Sequence, residues 1–189
     1  MIGSTINQLA GLLNQYLKRS FDLSEDIVVV SNILDQDGSI VQHVNNKVIA
    51  LLVNIQKDNE AYKANFNSSG SARAITSYPP IYLNLYVMFV ANFSGNNYPE
   101  ALKFISKTIG FFQRCPVFDH QNTPELDKNI DKLVLDLESL GINDLSNLWS
   151  ILSGKYLPSV LYKVRMVAID TGDIKSQVSM IQELRSSVN

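Results

Sequence analysis

One cysteine and two histidines are all that this 189-residue chain offers to thiol and imidazole chemistry. Cys115 has no second cysteine with which to close an internal disulfide, which fits assembly in a reducing compartment, and the plain reading of it is a small apolar filler. Neither His43 nor His120 has another ligand at HxxxH or HExxH spacing, which excludes a histidine-rich metal site. The loops GxxxxGK[ST] and GxGxxG are absent, so nothing supports nucleotide binding through them. Positive charge is not in excess either. Lys and Arg number 16 against 18 Asp and Glu, net charge is -2 and the pI is about 5.6. No overall field draws the protein onto phosphate backbones or anionic lipid, and nucleic acid is not an expected partner. The longest apolar run, 81–93, is broken by Asn84 and Asn92 and falls short of the roughly 20 residues a spanning helix needs. Before Leu17 there is no basic n-region, and Lys18 and Arg19 follow the apolar part, so neither a secretory signal nor membrane insertion is expected.

What is present is globular. Hydrophobic residues make up 46% and charged residues 18%, enough apolar side chain for one good-sized core and a single domain over 1–189. Ile2, Ile6, Leu9, Leu13, Tyr16 and Leu17 recur at steps of three and four and predict an amphipathic helix. Val- and Ile-rich stretches at 27–33 and 47–56 predict two adjacent strands flanking a turn at 35–39, where Gly38 is free to take positive φ. From Ile81 to Phe93 every second residue is apolar, and Pro79-Pro80 together with the aromatic content favours a long strand over a helix. Asn97-Tyr98-Pro99-Glu100 starts a helix whose Leu102, Ile105, Ile109 and Phe112 share a face. A half-buried strand at 130–137 with Leu133, Leu135 and Leu137 inward follows. Next come a short helix beginning at Asn143 or Asp144, with Trp149 as core anchor, and a final long strand from Val160 to Ala168. Ile174, Val178, Ile181 and Leu184 then have helical spacing. The order predicts an α+β domain, a mixed and largely antiparallel sheet packed with three or four helices. Two segments stand apart, a long polar loop at 57–78 and a C-terminal segment at 171–189.

Candidate chemistry is thin. Asp35-Gln36-Asp37-Gly38-Ser39 matches part of a calcium loop but lacks the third acidic position and the distal bidentate Glu, so a plain turn accounts for it. No GxSxG surrounds a serine, and no carboxylate pair stands clear of the lysines. Asp119 and His120 near Cys115 are the one grouping open to a hydrolytic reading, the alternative being a surface turn. Tyr82 and Tyr86 read as core, Tyr62 and Tyr78 as interface.

Several motifs in series carry more. They are Pro79-Pro80-Ile81-Tyr82-Leu83-Asn84-Leu85-Tyr86, Tyr98-Pro99-Glu100-Ala101-Leu102, Phe111-Phe112-Gln113, Leu148-Trp149-Ser150, and Tyr156-Leu157-Pro158-Ser159 running into Tyr162-Lys163-Val164-Arg165. With the N-terminal helix they span nearly the whole chain. The chain so read resembles the N-terminal domain of the tube-capping, tail-terminator family of phage-tail-like extracellular contractile injection systems of the antifeeding-prophage type. The resemblance implies a structural protein without catalytic residues, cofactor or metal. It also implies a homo-oligomer, expected as a hexameric ring, that meets an inner tube protein and a sheath protein. Such a protein would assemble in the bacterial cytoplasm and leave with the released particle. Some members carry a further C-terminal region after this domain. Tyr62, Phe66, Arg73 and Tyr78 are the expected interface residues, on the separate ground that exposed aromatics and Arg are enriched at contacts. A baseplate or adaptor component of similar fold is the competing position in such a particle.

Overall fold

The computed structural model describes residues 2–35, 37–39, 41–58, 75–77, 81–128, 130–152, 155–169 and 174–177, with backbone alone at 75–77, 166–169 and 174–177. Helix α1 (Ile2–Phe21) buries Ile6, Leu9, Ala10, Leu13 and Leu17, the stripe the spacing predicts. Lys18 and Arg19 occupy its last turn, where cations meet the negative end of the helix dipole. Asp22 takes a left-handed φ of 51°, and the Leu23 amide donates to the Lys18 carbonyl at 3.0 Å, closing the helix.

Six strands follow one another into a single sheet in the spatial order β1-β2-β4-β7-β6-β5. They are β1 (Val28–Val30), β2 (Lys47–Lys57), β4 (Ile81–Asn92), β5 (Val117–Asp119), β6 (Lys132–Glu138) and β7 (Ser159–Ile169). Only β1 and β2 pair in parallel; every other neighbour in this sheet is antiparallel. The mixed, mainly antiparallel α+β architecture agrees with the sequence expectation, and among the described residues it carries three α-helices. A two-stranded antiparallel sheet joins β3 (Ile75–Ser77) to β8 (Ile174–Gln177). Helix α2 (Tyr98–Arg114) and helix α3 (Ile142–Ile151) complete the set.

Both faces of the sheet are covered. Val48, Ala50, Leu85, Val87, Phe89, Tyr162 and Val164 point to one side and pack with the stripes of α1 and α2. Ile49, Leu51, Met88, Val90 and Leu161 point to the other, where Trp149 of α3 and Ile33 and Val44 of the β1–β2 connection close over them. Period-two alternation sorts neighbours onto opposite faces, so strands this apolar on both sides need two cover layers. Phe112 is the hub of the larger core. Its ring lies 5.1 Å from Phe89 and 4.9 Å from Tyr162 between centroids, within the range of favourable aromatic pairs.

Several sequence expectations shift. The inward face of α2 is Ala101, Phe104, Ile105, Thr108 and Phe112, leaving Leu102 exposed. Leu137 is 53% exposed, because β5 pairs with β6 only as far as Val134 and the strand end projects past its neighbour. Helix α3 begins one residue before Asn143, with Gly141 as its cap. The short strands β3, β5 and β8 were not expected. Ile174 lies in a strand, while Val178, Ile181 and Leu184 of the helical spacing lie outside the described residues, and the 57–78 segment is narrowed by β2 running to Lys57 and by β3.

Trp149 is buried, with an indole N–H that finds no acceptor among the described residues, so its contribution is volume and apolar contact. Trp149→Ala is expected to cost about 3 to 5 kcal/mol in urea unfolding, and Trp149→Phe distinctly less, since no hydrogen bond is lost. Burial pushes the Tyr162 hydroxyl from 10.0 up to about 12. Its folded-state pKa lies above the unfolded one, so the stability this group contributes is complete below pH 10 and is lost as pH climbs toward 12. Tyr162→Phe should flatten that alkaline decline in stability-versus-pH measurements.

Candidate assembly surface

The β2–β4–β7 ladder outruns the core. Beyond the Leu52/Asn54 irregularity, Asn54, Ile55, Gln56 and Lys57 are all exposed, while their partners Leu83 to Tyr86 stay at least half-buried. The Tyr86 hydroxyl donates to Gln56 Oε1 at 3.0 Å, tying the two strands together on the outward side. Ile55 and Ile81 present apolar surface at this end, 43% and 49% exposed. Strands β3 and β8 lie along the same two chain stretches. Ile81 faces Ile169 in the large sheet and Ile75 faces Gln177 in the small one. The same two chain stretches thus pair antiparallel in both sheets, 81–90 with 159–169 and 75–77 with 174–177, as a two-stranded ribbon.

Tyr62, Phe66, Arg73 and Tyr78, the expected interface residues, lie outside the described residues. What the structure supplies is their attachment: the chain leaves β2 at Lys57 and re-enters at Ile75 on the ribbon. Tyr82 and Tyr86 are half-buried, short of the full burial that a core reading implies.

The edge of the sheet at β1 is stapled to α1. Asn14 Oδ1 accepts from the amides of Ile27 at 2.8 Å and Val28 at 3.0 Å, and Asn14 Nδ2 donates to Asp26 Oδ1 at 2.8 Å. Lys18 joins the same carboxylate at 3.0 Å. The hydrogen bond from Asn14 and then Lys18 holds the Asp26 carboxyl below its usual range. A side chain that takes up edge amides blunts the strand edge against further pairing. Sequence periodicity missed Asn14, since a single polar residue beside a helix stripe carries no signal of its own.

No hydrogen bond among the described residues joins Cys115, Asp119 and His120. Cys115 is exposed just past the end of α2, which corrects the expectation of a buried filler. His120 is exposed in the turn after β5. Asp119 Oδ1 is taken up by the turn itself, accepting from the amides of Gln121 at 2.9 Å and Asn122 at 3.0 Å, so it does not serve as an orienting carboxylate. Asp37 behaves likewise. Its Oδ1 accepts from the hydroxyl and amide of Ser39 at 2.6 and 2.8 Å, which holds its carboxyl low, and Gly38 beside it has φ 81°, as a plain turn requires. Among the described residues no group of three His, Cys, Asp or Glu could hold a metal ion, and no helix is long and apolar enough to cross a membrane.

Two concavities border the helices. One of about 740 Å³ lies between α1 and α2, lined by Tyr16, Phe21, Leu102, Lys103, Lys107 and Arg114 among others. A smaller one of about 350 Å³ lies between the 32–38 segment and the end of α3, lined by Ile33, Leu34, Ile151 and Leu152 among others. Neither is lined by Cys115 or His120.

This two-faced mixed sheet with helices on both sides is a fold shared with two solved terminators of contractile injection particles. The PVC sheath/tube terminator in its extended state aligns over 100% of this chain with a TM-score of 0.61 at 16% identity. The tube-terminating cap of the anti-feeding prophage aligns over 97% with a TM-score of 0.57 at 13% identity. The chain spans 63% and 60% of the lengths of those two proteins. By sequence pattern, residues 4–183 match the Pvc16 N-terminal domain, and the chain belongs to that family. None of the curated proteins matches it in sequence.

Cys115→Ala is expected to change stability by no more than about 0.5 kcal/mol in urea unfolding, as befits an exposed side chain outside the core. In the native protein the thiol should react with a disulfide reagent as completely as in denaturant.

Proposed function

We propose that this chain is a cap subunit, which ends the inner tube and sheath of an extracellular contractile injection particle by forming a ring, hexameric in our reading, at the distal end. The observation that carries this is the family match over 4–183, joined to a fold shared along the whole chain with two terminators. The role is mechanical. Cys115, His120 and Asp119 are spent on exposure and turn geometry, which supports a protein that converts no substrate.

Termination needs a subunit with two unlike surfaces. One must match the last ring of tube or sheath, and the other must fail to template another ring. The described domain has that asymmetry, with α1 and α2 on one side of the sheet and α3 on the other. Cyclic closure multiplies each weak subunit contact, because a subunit held by two neighbours meets its docking site at high effective concentration. The ribbon and the 59–74 segment attached to it, which includes Tyr62, Phe66 and Arg73, are the parts we assign to the tube or sheath. Assembly would take place in the bacterial cytoplasm, with the cap leaving as part of the extracellular particle.

Electron microscopy of particles from producing cells with and without this chain tests the reading. Without it, tubes of scattered length with open ends are expected, and complementation should restore uniform capped ends. Uniform lengths and closed ends in its absence would overturn termination and favour a baseplate or adaptor position.

A further inference from the structure

We infer that the groove between α1 and α2 receives the β6–α3 corner of a second copy of this chain, and that this head-to-tail contact builds the ring. The inference rests on the capping reading and adds the contact surfaces. The groove is apolar at its floor and basic at its rim. Tyr16 and Leu102 supply the apolar surface, Leu102 being 45% exposed. Lys103, Lys107 and Arg114 line it from one helix. Arg114 is held in place, its guanidinium 5.0 Å from the centre of the Tyr16 ring and bonded to the Tyr16 hydroxyl, and Lys103 shares its charge with Glu100 at 2.7 Å.

The corner has the opposite character. Leu137, Leu140 and Ile142 are 53%, 37% and 79% exposed within six residues of chain, a density of outward apolar side chain that solvent alone does not favour. Glu138 and Asp144 stand beside them in the chain; on the neighbouring strand Lys163 lies opposite Asp136, the carboxylate that also holds Arg165 at 2.7 Å. Apolar groups bracketed by carboxylates thus match apolar groups bracketed by amines, and like-with-like pairing of either patch would set equal charges against each other.

Placement favours a second copy as the occupant. The groove and the corner share no residue, and the corner opens into α3, which packs on the sheet face opposite α1 and α2. A copy using its groove therefore still presents its corner. Such a contact joins unlike patches and closes into a ring when the rotation per subunit divides a full turn.

The test uses the full chain and two charge-reversed variants, Lys103→Glu/Lys107→Glu in the groove and Glu138→Lys/Asp144→Lys on the corner. Circular dichroism confirms folding, and mass photometry and sedimentation read ring formation with and without assembled tubes. Each variant alone is expected to self-associate at least tenfold more weakly than the parent. An equimolar mixture should recover the ring with strictly alternating subunits, since each reversed patch then meets its complement and six is an even number. A parent ring with variants that assemble as well as it does overturns the groove–corner contact and leaves the capping reading standing. Folded variants that fail singly and also fail when mixed overturn it as well. A parent chain that stays monomeric alone and with tubes overturns both.

Discussion

Strand β4 is held on both edges by β2 and β7 and, from Val87 to Ala91, on both faces by separate layers of side chain. Phe89 points into the aromatic cluster under α1 and α2 while Met88 and Val90 point toward Trp149, and all three are essentially without solvent contact. Burying large apolar residues on successive positions of one strand is the constraint from which the remaining architecture follows. Two cover layers are required, so helices must reach both sides. The flanking strands must be long enough to satisfy the amides of a twelve-residue strand.

The same constraint explains where the molecule is left open. Cover is complete from Val87 to Ala91 of β4 and from Val48 to Leu51 of β2, and toward Ile81 and Lys57 the strands go on pairing with less to pack against. At one end this yields the ribbon that carries β3 and β8. Along the other side, β6 runs past its short partner β5 and exposes Leu137 before the chain turns into α3. The β1 edge is treated differently, with Asn14 and Lys18 reaching over from α1. Rigid core, blunted edge and open extremities suit the capping role proposed above, in which neighbours would meet the domain at chosen places only.

Identity of 13 to 16% with the two terminators, alongside a shared fold, is what such a constraint allows. Burial asks for apolar side chains of about the right volume at alternating positions, and many combinations meet that demand. Exposed surfaces carry no such restriction, so groove, corner and ribbon belong to this chain in their details even where the backbone course is common.

Much of this was legible in the residues. The stripe of α1, the length and alternation of β4, the adjacency of β1 and β2, the turn at Gly38 and the inward Trp149 all followed from spacing, because period 3.6 or period two sustained over ten residues leaves few alternatives. Strands of three or four residues give no period to read, so β3, β5 and β8 escaped, and β1 was found only because a longer Val- and Ile-rich run surrounds it. Helical spacing at Ile174 misled for a related reason: a strand that finds a partner gains a ladder of hydrogen bonds that local pattern does not reveal. The catalytic grouping of Cys115, Asp119 and His120 dissolved once turn bonds and exposure were visible, and Tyr62, Phe66, Arg73 and Tyr78 lie outside the described residues. By itself, then, the sequence determined which residues had to leave water and the elements that let them do so. Tertiary structure alone decided that Leu102 and Leu137 stay out while Phe104 and Leu135 go in, because burial depends on where neighbouring elements end, and that is settled by packing between segments far apart in the chain.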